Sequence, residues 1–229
     1  MFINNALSGV DSFTVALLHM NGTDTSTTFT DETGKAITAV GNAQIDTAQS
    51  VFNGASGLFD GTGDYLTAAD SADWQLDGGS NSNAWTIDFW VRFNGDPGVS
   101  PMGFVEQYTD NSNAWALLLV NNLLEFYVLS GGAFTVVIDN AWNPATATWY
   151  HVAVVKNGAT GYMMFVDGTQ IGTTQTDIDT IPNLTGSIQI GRESETSGNF
   201  DLNGWMDEVR ISKGIARWTA NFTPPTGEY

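Results

Sequence analysis

The chemistry open to this chain rests on carboxylates: its 229 residues include 25 Asp and Glu, 2 His and no Cys. Without Cys, thiol catalysis, disulfides and thiolate-held zinc or iron–sulfur sites are excluded. Glycoside hydrolysis needs two carboxyl groups facing one groove, roughly 5–10 Å apart. On a regular strand, residues two positions apart share a face and immediate neighbours do not. Asp207 and Glu208 are neighbours, so they are expected on opposite faces, unable to flank one glycosidic bond. Glu193 and Glu195 have same-face spacing, but "RESETSGN" reads as an exposed polar loop. A Gly-x-Ser-x-Gly elbow is absent. His19 in "LLHM" and His151 in "WYHVAVV" fall in apolar strand patterns, where a structural role is expected. The residues predict a chain that is not an enzyme.

Binding chemistry has better candidates. Sugar sites combine an aromatic platform with a few convergent polar groups, usually on loops carried by a rigid scaffold. "EQYTDNSNAW" offers Tyr108, Asp110, Asn111, Asn113 and Trp115, and "DNAWNP" offers Asp139, Asn140, Trp142 and Asn143. From these, Tyr108, Asp110, Asn111, Trp115, Asn140 and Trp142 form the expected ligand site. Asn and Asp also favour turns for backbone reasons alone, which is the competing explanation. Trp85, Trp149 and Trp205 begin or precede strand patterns and read as core. Trp90 shares a face with Thr86, Asp88 and Arg92, and is expected beneath a covering loop.

Asp207 is the sharpest metal candidate. In "MDEVRIS" it alternates in phase with Val209 and Ile211, which predicts a carboxylate turned toward the core. Burying a carboxylate is costly unless it is paired, hydrogen-bonded or metal-bound. With only 7 Lys and Arg, Ca²⁺ is a natural partner, since it takes oxygen ligands. The competing reading has Asp207 capping backbone N–H groups at a strand end. Asp70, Asp73 and Asp77 around "SADW" read as solvated.

The elements that must position these groups alternate with a period of two. In Trp85–Phe93 the odd-numbered residues form one apolar face. Further strands are expected at Tyr150–Lys156, Tyr162–Val166, Ser187–Ile190 and Met206–Ser212, with turns at Asn157-Gly158 and Asp167-Gly168. One short helical segment is expected at Ser212–Trp218. No linker or repeat divides the chain. The expectation is an all-β fold, a two-sheet antiparallel β-sandwich over residues 14–229, preceded by an N-terminal tail, residues 1–13.

Charge narrows the partners. A formal net charge of −18 and no basic run argue against nucleic acid and against anionic membrane surfaces. No stretch approaches the roughly 20 apolar residues of a membrane span. The N-terminus lacks the pattern of a secretory signal peptide. These features predict a soluble protein with no membrane insertion.

Five motifs occur in order: "FDGTGDYLTAADSADWQL" (59–76), "WTIDFWVRF" (85–93), "WYHVAVVKNGATGYMMFVDGTQIG" (149–172), "SIQIGR" (187–192) and "LNGWMDEVRISKGIARW" (202–218). Together they resemble a laminin-G-like domain of the concanavalin A-like lectin and glucanase fold, over roughly residues 15–222. The resemblance implies a jelly roll. Hydrolases of that fold carry an E-x-D-x-(x)-E run, which this chain lacks. Relatives often hold calcium between the end of the N-terminal strand and the last strand's Asp. The matching segment here has Asn21 where an acid is usual, with Asp24 and Asp31 nearby, and "DGTGD" adds Asp60 and Asp64. The implied structural Ca²⁺ set is therefore Asn21, Asp24, Asp60, Asp64 and Asp207. The ending "ISKGIARWTANFTPP" resembles domains of bacteriophage structural proteins. The functional expectation is a carbohydrate-binding or adhesion module on a virion or extracellular surface. Its partners would be a glycan or cell-surface polysaccharide and other virion proteins, and it would be homo-oligomeric in the assembly. The alternative is a purely structural capsid- or tail-stabilising protein without a glycan ligand.

Overall fold

The computed structural model describes residues 9–98, 100–195 and 198–229. Two antiparallel sheets pack face to face. The first contains β1 (Thr14–Leu18), β3 (Gln44–Asp46), β4 (Ser56–Asp60), β6 (Trp85–Phe93), β11 (Trp149–Lys156), β12 (Tyr162–Val166), β13 (Thr169–Gln175) and β17 (Asn203–Lys213). The second contains β2 (Thr38–Val40), β5 (Tyr65–Ala68), β7 (Met102–Asp110), β8 (Asn113–Val120), β9 (Leu123–Ser130), β10 (Ala133–Ala141) and β14 (Ile188–Ile190). A separate hairpin, β15 (Arg192–Glu195) and β16 (Gly198–Asp201), lies against β7. The only helical turns among the described residues are the 3₁₀ segments Ala72–Trp74 and Gly158–Thr160.

Alternation explains the layering. Trp85, Ile87, Phe89, Val91 and Phe93 are buried in the single large core between the sheets, and the intervening residues of β6 face outward. Trp85, Trp115, Phe126 and Tyr162 knit the two inner faces together through ring contacts of 5.0–6.1 Å. The sheets therefore close by hydrophobic burial, the dominant favourable term in folding. The turn Asp167-Gly168 has φ of 48° and 72°, the left-handed pair that a two-residue hairpin between β12 and β13 requires.

Two differences from the sequence expectation matter. No helix forms at Ser212–Trp218: β17 continues to Lys213, Gly214 takes φ +87°, and an irregular segment follows. Ala216, Trp218 and Phe222 from that segment cover Ala153, Val155, Met163 and Phe165 on the outer face of the first sheet. Tertiary burial of those rings overrides the weak local helical pattern. Residues 1–8 of the expected N-terminal tail lie outside the described residues. Within the rest, Asp11 pairs with Arg217 at 3.0 Å.

Candidate functional site

The outer face of the second sheet carries a cleft, and its geometry begins with a close approach of two backbones. Gly103 in β7 faces β15 so tightly that a Cβ there would lie 2.1 Å from the Glu193 backbone nitrogen. The hairpin is thus seated directly on the sheet. Ser194 fastens it, donating from its backbone N–H (3.0 Å) and hydroxyl (2.7 Å) to the two oxygens of Glu106. Tyr127 donates its hydroxyl to Glu193. Arg192 and Asp201 pair across the hairpin at 2.7 Å. Burial pushes the Glu106 carboxyl up to about 7, the Ser194 hydrogen bonds oppose this, and the charge of Glu193 adds to it.

Beside this clasp opens a cleft of about 280 Å³, lined by Tyr108, Asp110, Asn111, Tyr127, Phe134, Glu193, Ser194 and smaller residues. That is near the lower end of small-molecule sites, which run from about 300 Å³ upward. Phe134 is 63% exposed, and its ring meets Tyr127 edge to face at 5.3 Å. Tyr108 donates its hydroxyl to Asn111 Oδ1 at 2.7 Å, which fixes the phenol at the rim. Burial raises the Tyr108 pKa, with Glu106, Asp110 and Glu193 adding to the effect. The arrangement offers an exposed aromatic ring for an apolar ligand face, hydrogen-bonding groups for hydroxyls, and a negative field from neighbouring acids.

Three of the six residues expected at a ligand site meet here: Tyr108, Asp110 and Asn111. They cluster because the 107–115 stretch is a tight β7–β8 hairpin, with Asp110 paired to Asn113, rather than a loose loop. The other three do not join them. Trp115 is 0% exposed, and its indole N–H reaches Trp74 O at 3.0 Å and Gln107 Oε1 at 3.2 Å; alternation along β8 turns it into the core. Trp142 is buried against Phe93 (5.8 Å) and Tyr150 (5.6 Å). Asn140 pairs with Leu124 at the far end of β10 and packs against Gly172.

Tyr127, Phe134, Glu193 and Ser194 were not anticipated. Glu193 is a correction: instead of lying in an exposed loop it is 0% exposed, in a strand folded back onto the sheet. The Glu195 side chain lies outside the described residues. Asp77 is a second correction, being buried and accepting from the backbone of Gly79 and Ile181 at 2.8 Å each. Trp90 is half-buried, edge to face with Phe52 at 6.0 Å and His151 at 5.2 Å.

The expected calcium residues do not converge. Asp24 accepts from Thr47 N, Asp60 from Thr62 N, and Asp64 from the backbone of Asn42 and Asp60. Asp31, buried, accepts from Leu17 N and Lys35 N. Asn21 bonds Glu228. Asp207 Oδ2 accepts from Val51 N at 3.0 Å and Phe52 N at 3.4 Å, the backbone-capping alternative. Burial pushes its carboxyl up to about 7. A bulge also changes its face. Between the pairs Asp207–Trp90 and Arg210–Asp88, β17 holds one residue more than β6, so Asp207 lies with the outward-facing Trp90. This set does not fit a calcium cage, because its members are held by separate partners, backbone groups for the four Asp and the Glu228 side chain for Asn21, and do not converge on one point.

The family model described as the concanavalin A-like lectin/glucanases superfamily, Laminin_G_3, matches residues 60–217. The chain belongs to this laminin-G family. Every residue of the cleft lies inside the matched segment. No curated protein matches the chain. Solved structures similar to this laminin-G domain include the receptor-binding domain of botulinum neurotoxin C/D mosaic serotype. It is 13% identical at TM-score 0.65, over 90% of this chain and 49% of that one. The botulinum neurotoxin DC binding domain in complex with rat synaptotagmin II is 16% identical at TM-score 0.63, over 88% and 48%. A structure of botulinum neurotoxin type C, whose cell entry is dependent upon interaction with two ganglioside molecules, is 18% identical at TM-score 0.62, over 89% and 48%. The laminin-G domain therefore spans about half the length of the solved structures it matches, and the likeness is one of fold. Among the described residues no helix is long and apolar enough to cross a membrane.

Proposed function

We propose that this laminin-G domain is a non-catalytic glycan-binding module that acts on a virion or other extracellular surface. The observation that carries the reading is the Tyr108–Phe134 cleft. There an exposed aromatic ring faces a ring of hydrogen-bonding groups over a rigid sheet, the composition of a carbohydrate site. Membership of a lectin-like family and the fold shared with receptor-binding domains support it. The acids beneath the cleft support binding without turnover. Both Glu106 oxygens hold Ser194, and Glu193 accepts from Tyr127, so the pair clasps the hairpin instead of facing a scissile bond.

Charge selects the ligand class. Asp110 and Glu193 line the cleft and the chain carries −18 overall. Like charges disfavour one another, so the preferred ligand is a neutral or amino-bearing sugar rather than a sialylated or sulfated one. The phage-like ending supports the virion setting, where repeated copies in a homo-oligomeric assembly raise weak single-site affinity by about 10²–10⁴. The test is a glycan and bacterial-polysaccharide array probed with bead-multimerised protein, in Ca²⁺ and again in chelator. Binding to neutral glycans in both conditions is expected.

A second reading is favoured by one observation. Phe134 and Val137 are both exposed on the edge strand β10, and an exposed apolar edge suits contact with another protein chain. A blank array would support a particle-stabilising role through that edge.

A further inference from the structure

A second cluster lies on the opposite side of the molecule, where β17 changes partners. Its residues Asn203–Met206 pair with β4, and Val209–Ser212 pair with β1. Between these runs, Glu208 takes φ +51° in the bulge and is 1% exposed. Glu208 Oε1 lies 2.7 Å from Nδ1 of His19, just past the end of β1. The C-terminal segment brings Glu228 to the same place. One donor atom from each of His19, Glu208 and Glu228 lies within 4.8 Å of the others. Among the described residues this is the group whose donors could hold a metal ion.

We propose that His19, Glu208 and Glu228 form a site for a first-row transition ion, Zn²⁺ foremost. One imidazole nitrogen and two carboxylate oxygens, with water completing the tetrahedron, is a donor set that zinc accepts. Calcium takes oxygen donors, and imidazole suits the transition metals. The donors' second contacts orient them: Tyr229 N donates to Glu208 Oε2 at 3.0 Å, and the Asn21 amide donates to Glu228 Oε1. Such outer contacts fix metal ligands in place.

A second buried carboxylate adjoins the site. Asp207, adjoining Glu208, is also 1% exposed, and its Oδ1 has no hydrogen-bond partner. The two carboxylates repel one another, while Glu228 and Glu32 also act on His19. Three acids, Glu208, Glu228 and Glu32, thus act on one imidazole. An opening of about 160 Å³ lined by His19, Met20, Asn21, Thr30 and Glu32 gives water and an ion access. His19 and Glu228 both fall outside the residues matched by the family model, and Asp207, which the family resemblance nominates for calcium, is not a ligand. A bound ion would tie the end of β1, the bulge and the C-terminal segment together.

The test is calorimetric titration of ZnCl₂ into the chelator-treated full chain, with CaCl₂ as comparison. One Zn²⁺ per chain is expected, bound at least 100-fold tighter than Ca²⁺. Glu228→Gln should weaken Zn²⁺ binding at least tenfold and His19→Gln should abolish it. Should His19→Gln fail to fold, Glu228→Gln, whose residue is only partly buried and lies in the irregular C-terminal segment, decides the matter alone. No Zn²⁺ binding, binding unchanged in Glu228→Gln, or Ca²⁺ bound as tightly as Zn²⁺ would each overturn the assignment and leave a simple His19–Glu208 ion pair.

Discussion

Gly103 and Glu193 meet backbone to backbone: a methyl group at Gly103 would sit 2.1 Å from the Glu193 nitrogen. No flexible side chain can yield there, since the obstructing atoms belong to the β15 main chain. The hairpin that walls the cleft therefore depends on the absence of one Cβ. Gly103→Ala should push β15 off the sheet, cost about 1–3 kcal/mol as an overpacking change, and abolish ligand binding at the cleft. Denaturant midpoints and hydrogen exchange of residues 192–195 would check this; retained protection of those amides would speak against the seat.

The outer face of the first sheet holds a buried charge pair. Arg210 Nη2 lies 3.1 Å from Asp88 Oδ2, both buried, and Tyr229 and His151 also reach that carboxylate. Removing one partner of such a pair leaves an uncompensated charge and costs about 3–5 kcal/mol. Arg210→Met should fall in that range in urea unfolding. Asp88→Asn with Arg210→Met together should cost less than the two single changes summed.

Stability should respond to pH through Glu106. Its folded-state value of about 7 lies above its ordinary 4.5, so the folded protein holds a proton that the unfolded chain has released. Between those values the unfolded state binds fewer protons, and stability falls as pH rises. The full contribution is present below about pH 4.5 and is lost by about pH 7, a change of about 3 kcal/mol. Glu106→Gln should lessen the slope measured by urea titration from pH 4.5 to 8, leaving the part due to Asp207, whose carboxyl is also pushed up to about 7. An unchanged slope in the variant would remove Glu106 as its source.

The tryptophans separate stability from binding. Trp115→Ala should cost about 3–5 kcal/mol, as expected for emptying a large core site. Trp142→Ala should cost a similar amount, because its ring packs between Phe93 and Tyr150. Phe134→Ala removes an exposed ring and should change stability by less than about 0.5 kcal/mol. Thermal melts of the three variants give the comparison.

The sandwich was legible in the sequence because β6 alternates cleanly, β11 reads as a strand covered on both faces, and turn dipeptides such as Asp167-Gly168 mark strand ends. Three of the cleft's ten lining residues were legible by position: Tyr108, Asp110 and Asn111 sit on one hairpin tip, where proximity in sequence is proximity in space. Glu193 was not, since its burial comes from a hairpin folding onto a distant strand through Gly103. Strict alternation failed at Asp207 and Glu208 because a single extra residue in β17 reverses the phase. Trp115 and Trp142 were misplaced because the composition of a neighbouring turn says nothing about which way a strand residue points.

The central claim is that the Tyr108–Phe134 cleft binds a neutral or amino-bearing glycan. The most direct measurement is the affinity of the multimerised protein for its best glycan from an array, beside that of Phe134→Ala and Tyr108→Ala. The account predicts at least a tenfold loss in both variants, unchanged melting of Phe134→Ala, and preference for neutral over sialylated glycans. Undiminished binding by Phe134→Ala, or a preference for sialylated glycans, would contradict it.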